Sequence, residues 1–227
     1  MYNPILLRHT ENSRLFFTGD QHFFHGKLTE QRGFKSVEEM NEALINNYNS
    51  CVGDNDLVIN LGDMFVGAGT WPDNKDKCQN IVERLNGKIY YITGNHNSFV
   101  KHVWKNEIKN RYNEEIEVYP LTVGKITFLG PQALFKIKTE KRTHFVFAAH
   151  FSFLTWIDMN HGIMHICGHS HGSLPQSQPE YKGAKRLDVG VDNFGFKPLL
   201  LDDFLAIMET KKIEIVDHHD DKINKSF

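Results

Sequence analysis

The chain has 227 residues, long enough for one domain to bury a substantial core without covalent staples. Its 26 lysines and arginines against 28 aspartates and glutamates give no overall positive field for non-specific binding to nucleic acid or to an anionic membrane. Three cysteines without a C-x-x-C spacing suit reduced thiols better than a disulfide framework. No apolar run reaches about 18 residues or resembles a leader peptide, so a cytosolic protein is expected.

Leu15-Phe16-Phe17-Thr18 reads as a buried strand that halts at Gly19-Asp20. Ser36-Val37-Glu38-Glu39 is a capping box, in which hydroxyl and carboxylate satisfy each other's free backbone N–H groups. It predicts a helix to about Tyr48, with Val37, Met40, Ala43, Leu44, Tyr48 and Cys51 as the buried stripe. A second strand, 57–61, runs into Gly62-Asp63. Cys78, Ile81, Val82 and Leu85 then repeat the helical spacing before Gly87, a natural C-terminal cap. The run 89–93 leads to Gly94-Asn95-His96.

From 116 to 150 the signals are mostly strands, the last ending at His150, and 163–167 runs into Gly168-His169-Ser170-His171. Strand-like runs at 187–191, 199–201 and 213–216 follow, with a short helix from Asp202 between the last two. The whole, 1–227, reads as one domain whose end, 217–227, is a polar and frayed tail. Helices and strands first, strands later, favour two packed sheets with helices outside over a doubly wound sheet.

Thirteen histidines stand out, because neutral imidazole is the commonest transition-metal ligand in proteins. Asp20 and His22 lie two apart, a spacing that in an extended segment points both side chains to one side. Asp63 brings two oxygens, enough to bridge two cations about 3.5–4 Å apart. Asn95 offers a neutral hard ligand and leaves the adjacent His96 free for catalysis. His150 ends an apolar strand, and His169 and His171 sit between glycines that let the backbone approach closely. Alone, each piece is as well read as a turn residue or a core histidine. Five together, each closing an apolar run, are not.

The set D-x-H, G-D, G-N-H, H and G-H-x-H, from Asp20 to His171, resembles the calcineurin-like metallophosphoesterases. The stretches Asp20-Gln21-His22-Phe23-Phe24-His25, Met40-Asn41-Glu42-Ala43-Leu44-Ile45 and Leu187-Asp188-Val189-Gly190-Val191-Asp192 are similar to a subgroup of small bacterial and phage phosphoesterases. The resemblance implies a four-layer α/β/β/α sandwich of two mixed sheets with flanking helices. It also implies two divalent metal ions, one held by Asp20, His22, Asp63 and His171, the other by Asp63, Asn95, His150 and His169. A hydroxide between them would attack the phosphorus, with His96 protonating the leaving oxygen. Mn, Fe, Zn or Ni would suit these ligands.

Asn97 departs from the family pattern, in which an acidic residue follows G-N-H. An amide in that place predicts a weaker general acid at His96 and a preference for good leaving groups. His25 either reaches the substrate phosphate from the rim or makes only local bonds, and His161 is a candidate substrate contact. Phe151, Phe153 and Trp156 read as core, with base stacking as the alternative. The expected substrate is a small phosphoester or nucleotide, most readily a phosphodiester. A phosphomonoesterase, a nuclease and a non-catalytic scaffold are the alternatives.

Overall fold

The central strands carry apolar side chains on both faces, and such strands need cover on both sides. A computed structural model describes residues 3–66, 75–96 and 119–216. Its strands are β1 (Ile5–Arg8), β2 (Leu15–Thr18), β3 (Leu57–Asn60), β4 (Lys88–Tyr91), β5 (Leu121–Val123), β6 (Ile126–Phe128), β7 (Gln132–Lys138), β8 (Thr143–Ala149), β9 (Met164–Cys167), β10 (Arg186–Asp188) and β11 (Leu199–Leu200). The helices are α1 (Gly26–Gln31), α2 (Val37–Asn49), α3 (Lys75–Arg84) and α4 (Leu201–Glu209).

Six strands form one mixed sheet in the order β11-β2-β3-β4-β6-β5, with β2, β3, β4 and β6 parallel. Five form the other, β1-β7-β8-β9-β10, in which β8, β9 and β10 are parallel. Leu15, Phe17 and Ile59 of the first sheet meet Phe135, Ile137, Val146, Ala148 and Ile166 of the second in a core between them. Helix α4 adds Leu201, Phe204 and Met208 to it. On the outer face of the six-stranded sheet, Phe16, Val58, Ile89 and Tyr91 pack against Met40, Leu44 and Tyr48 of α2 and Cys78 and Ile81 of α3. The layered α/β sandwich expected from the chain order is therefore present. Over the five-stranded sheet the described cover is an irregular segment that places Trp156 and Met159 on Leu134 and Phe147.

Helix α2 begins at Ser36, whose Oγ accepts the Glu39 N–H at 3.1 Å. The Glu39 carboxylate reaches one residue further back than a standard capping box and accepts the Lys35 N–H at 2.7 Å. The buried stripe includes Asn41 and Ile45, whereas Val37 and Ala43 are half-buried. Ser36→Ala should cost about 1 kcal/mol. In urea denaturation the midpoint should fall with an unchanged slope.

Two expectations need correction, and one strand, β1, had not been read at all: it pairs in parallel with β7, its sequence being too short to announce itself. Residues 213–216 are not a strand. Lys212 donates to Gly183 O, but the alternating Ile213 and Ile215 that follow find no further edge and stay exposed. Phe151 is not core, being 48 % exposed, whereas Trp156 is buried with its indole N–H on Ile163 O. The tail 217–227 and Asn97 lie outside the described residues, as does most of the loop after Phe65.

Candidate metal centre

Strands β2, β3 and β4 run parallel, and so do β8 and β9, so the loops at their C-terminal ends share one edge of each sheet. Backbone bonds stitch these loops together: Asp20 N–H donates to Gly62 O at 3.0 Å and His22 N–H to Asp63 O at 3.0 Å. The D-x-H segment is not extended. Asp20 and His22 both have left-handed backbones, with φ of 57° and 52°, as do Asp63 (51°), His169 (69°) and His171 (47°). Each such residue costs of the order of 1–3 kcal/mol and persists only where its surroundings hold it.

Close approach of glycines makes this possible. A Cβ on Gly94 would overlap Asp63 Oδ1, and one on Gly168 would overlap Asp20 Oδ2. Gly62, at φ 100°, turns its α-carbon to within contact of Gly94, where a Cβ would lie 2.6 Å from the Gly94 nitrogen.

The result is two groups of ligand atoms side by side. Asp20, His22 and His171 offer atoms within 4.8 Å of one another, and so do Asp63, His150 and His169. Asp63 faces both groups. Its Oδ1 accepts the His96 N–H at 2.8 Å, and Oδ2 lies 3.3 Å from His150 Nε2 and 3.9 Å from His22 Nε2. Asn95 Oδ1 lies 2.8 Å from His150 Nε2 and 2.9 Å from His169 Nδ1. The rings of His22 and His171 stack at 4.8 Å, and His96, exposed at the rim, lies 5.5 Å from His22.

The donor chemistry fits cations. Asp20 Oδ1 and both ring nitrogens of His22 are buried without a hydrogen-bond partner among the described residues. Such orphaned groups are costly unless something positive completes them. His22 Nε2 is 3.8 Å from Asp20 Oδ1, beyond a hydrogen bond but within the span of two ligands each about 2.0–2.2 Å from one ion. His150 gives its Nδ1–H to Leu61 O at 2.7 Å, a group that can only accept. Its Nε2 lone pair is thereby aimed at Asn95 Oδ1 and Asp63 Oδ2, also electron-pair donors.

The electrostatics of the bare side chains tell the same story. Burial pushes the Asp20 carboxyl up to about 7, despite the opposing pull of His150. Burial, helped by the neighbouring His171, takes His22 down to about 3. For Asp63 burial acts upward, but His150 and the His96 N–H prevail and hold it below the ordinary carboxylate range.

Three residues given no role in the sequence reading stand behind these side chains. Asp192 Oδ2 lies 2.6 Å from His171 Nδ1, and Arg32, at the end of α1, pairs with both oxygens of Asp192 at 2.8 Å. Asp188 anchors the G-H-x-H loop by accepting from Ser170 Oγ at 2.5 Å and from Gly172 N–H at 3.3 Å. The stretch 187–192 was noted for its resemblance alone. Its buried or half-buried acids were the signal available.

His25 comes near the centre, 5.5 Å from His22, with a buried Nδ1 that has no partner among the described residues. His161 does not. It sits in the turn before β9, at the opposite end of the strand from His169, beside a groove lined by Arg142 and Glu209. Phe151 lies at the mouth, its ring 4.6 Å from that of His169.

In backbone shape the chain is similar to a crystal structure of a protein of unknown function from Aquifex aeolicus. The TM-score is 0.55 at 14 % identity, over 86 % of this chain and 100 % of that one. In sequence it is 26 % identical over 204 residues to an uncharacterised protein of Methanocaldococcus jannaschii, covering 88 % of this chain and 94 % of the relative. A family model described as calcineurin-like phosphoesterase matches residues 13–221, which include every residue of the centre. The chain belongs to the calcineurin-like phosphoesterase family, whose members are metal-dependent hydrolases of phosphoester bonds.

Proposed function

We propose that the chain is a phosphodiesterase that works with two divalent cations, one held by Asp20, His22, Asp63 and His171 and the other by Asp63, Asn95, His150 and His169. The observation that supports this reading is that Asp63 Oδ2 lies 3.9 Å from His22 Nε2 and 3.3 Å from His150 Nε2, close enough for one carboxylate to serve both ligand groups. Mn, Fe, Zn or Ni would suit the His, Asp and Asn donors. With divalent cations held by these residues, the site would supply an activated water and polarisation of the phosphoryl oxygens.

The chain's own residues do the rest. His150 and His171 are oriented by Leu61 O and Asp192, so each presents a fixed nitrogen. His96 is anchored through its N–H on Asp63 and keeps its exposed ring free at the rim, where it can pass a proton to a departing alkoxide or aryloxide. Phe151 offers an apolar face against which the second ester arm of a diester can lie, and a nucleobase would stack there equally well. The match over 13–221 supports one phosphoesterase unit, and three unpaired thiols, two of them buried, suit a reducing cytosolic setting. No described helix is long and apolar enough to cross a membrane.

The test is hydrolysis of bis(p-nitrophenyl) phosphate and p-nitrophenyl phosphate by chelator-stripped protein before and after refilling with Mn²⁺. The stripped protein should be inert, and the refilled protein should cleave the diester faster. A faster monoester would sink the diesterase assignment and leave the metal site standing. Mn²⁺ at about 100 times its dissociation constant should also add about 2.7 kcal/mol per site, a rise of about 5–11 °C in Tm.

A further inference from the structure

We infer that Arg32 and Asp192 act as a two-residue positioning device that presets His171 and the Asp20 turn for one of the two cations, and leaves the other cation's ligands untouched. The inference rests on the metal reading above.

Arg32 has a side chain only 3 % exposed, and its four short polar bonds all go to one place. Nε and Nη2 hold the two oxygens of Asp192, each at 2.8 Å, while Nη1 donates to Gln21 O and Nη2 also to Asp20 O, each at 2.7 Å. The planar guanidinium fork thus ties the backbone of the Asp20 turn to Asp192, a partner 160 residues away in sequence. The Asp20 turn needs such a tie, because Asp20 and His22 both hold left-handed backbones on either side of the two carbonyls that Arg32 grips.

Asp192 in turn fixes His171. A carboxylate only accepts, so the contact of 2.6 Å puts a proton on His171 Nδ1 and leaves the Nε2 lone pair for a cation. At the other ligand group no charged residue among the described ones orients a histidine ring in this way. His150 is oriented by a backbone carbonyl, and His169 meets Asn95. The two groups are built differently, and the direct bonds of the Arg32–Asp192 pair go to residues of the first.

An outer carboxylate of this kind affects metal affinity by about 10–100-fold. Isothermal titration of the chelator-stripped full chain with Mn²⁺ tests the assignment. Wild-type protein should show two binding steps. Asp192→Asn, nearly isosteric, should weaken one step by about 10–100-fold and leave the second as it was. Arg32→Lys, whose single ammonium cannot grip four acceptors, should weaken the same step.

In a double-mutant cycle, Asp192→Asn should add little once His171→Ala has already removed its client. Equal weakening of both steps, or an Asp192→Asn effect undiminished in the His171→Ala background, would show a general structural role and overturn the inference while the metal reading survives. Failure of the wild-type protein to bind Mn²⁺ at all would overturn both. Far-UV circular dichroism of each variant separates lost affinity from lost fold.

Discussion

Asp63→Asn should lower kcat/KM on both nitrophenyl esters by a factor on the order of 100 or more, since it strikes the carboxylate proposed to serve both ligand groups. The side chain has no spare oxygen. Oδ1 is committed to the His96 N–H, and Oδ2 is the atom that faces His22 and His150. An asparagine must place its NH₂ at one of these positions. Facing His96 it opposes donor to donor. Facing the histidines it puts hydrogens where a lone pair is required.

Stability should fall as well. Even without a cation, His150 and the His96 N–H favour the charged Asp63 carboxylate in the fold, so stripped Asp63→Asn should melt below stripped wild type. Added Mn²⁺ should raise the Tm of the wild type by several degrees and that of the variant by much less. A variant that keeps both its rate and its Mn²⁺-dependent rise would refute the bridging role.

The gathering of these side chains was legible in the sequence because each closes an apolar run, and the strand tells where its terminal residue will be. Asp20, Asp63, Asn95, His150 and His169 follow β2, β3, β4, β8 and β9 at the same edge, so the order of runs was enough to gather them. Other features depend on contacts that no local pattern encodes. Arg32 caps the C-terminal end of a six-residue helix, and its partner lies beyond β10. The sequence stretch Lys212-Ile213-Glu214-Ile215 alternates as a strand should, yet alternation specifies only which faces differ and cannot supply an edge to pair with.

Phe151 follows a metal-type histidine and precedes buried aromatics, so only the turn of the chain after β8 decides that it faces the mouth and Trp156 the core. The strained turns were hidden too. Nothing in D-x-H announces two left-handed residues. An extended reading was the natural default, because for a residue with a Cβ the left-handed region is costly.

Gly94→Ala should be as damaging as the loss of a ligand, although it removes no functional atom. The added methyl would overlap Asp63 Oδ1 and stand 2.8 Å from Asp63 Cγ and from its backbone nitrogen. Neither neighbour can yield cheaply. Asp63 is held at φ 51° between Gly62 and the bond from His22 N–H to its carbonyl, and Gly94 is pressed against Gly62, so the two loops are wedged together. Overpacking of this kind costs about 1–3 kcal/mol, which a domain of this size should survive folded.

The function should not survive it. Displacing Asp63 by about 1 Å moves it with respect to both ligand groups at once, and misplacement on that scale lowers rates by about 100-fold. Gly26→Ala is the matched control. It lies one residue from His25, but its methyl would meet only Val37 Cγ2 at 3.9 Å, and the rate should stay within about twofold of wild type. If Gly94→Ala were folded by circular dichroism and retained a wild-type rate, the close approach of the two loops would have no part in placing the carboxylate. The strained geometry of Asp63 would then have to be credited to the backbone of its own turn alone.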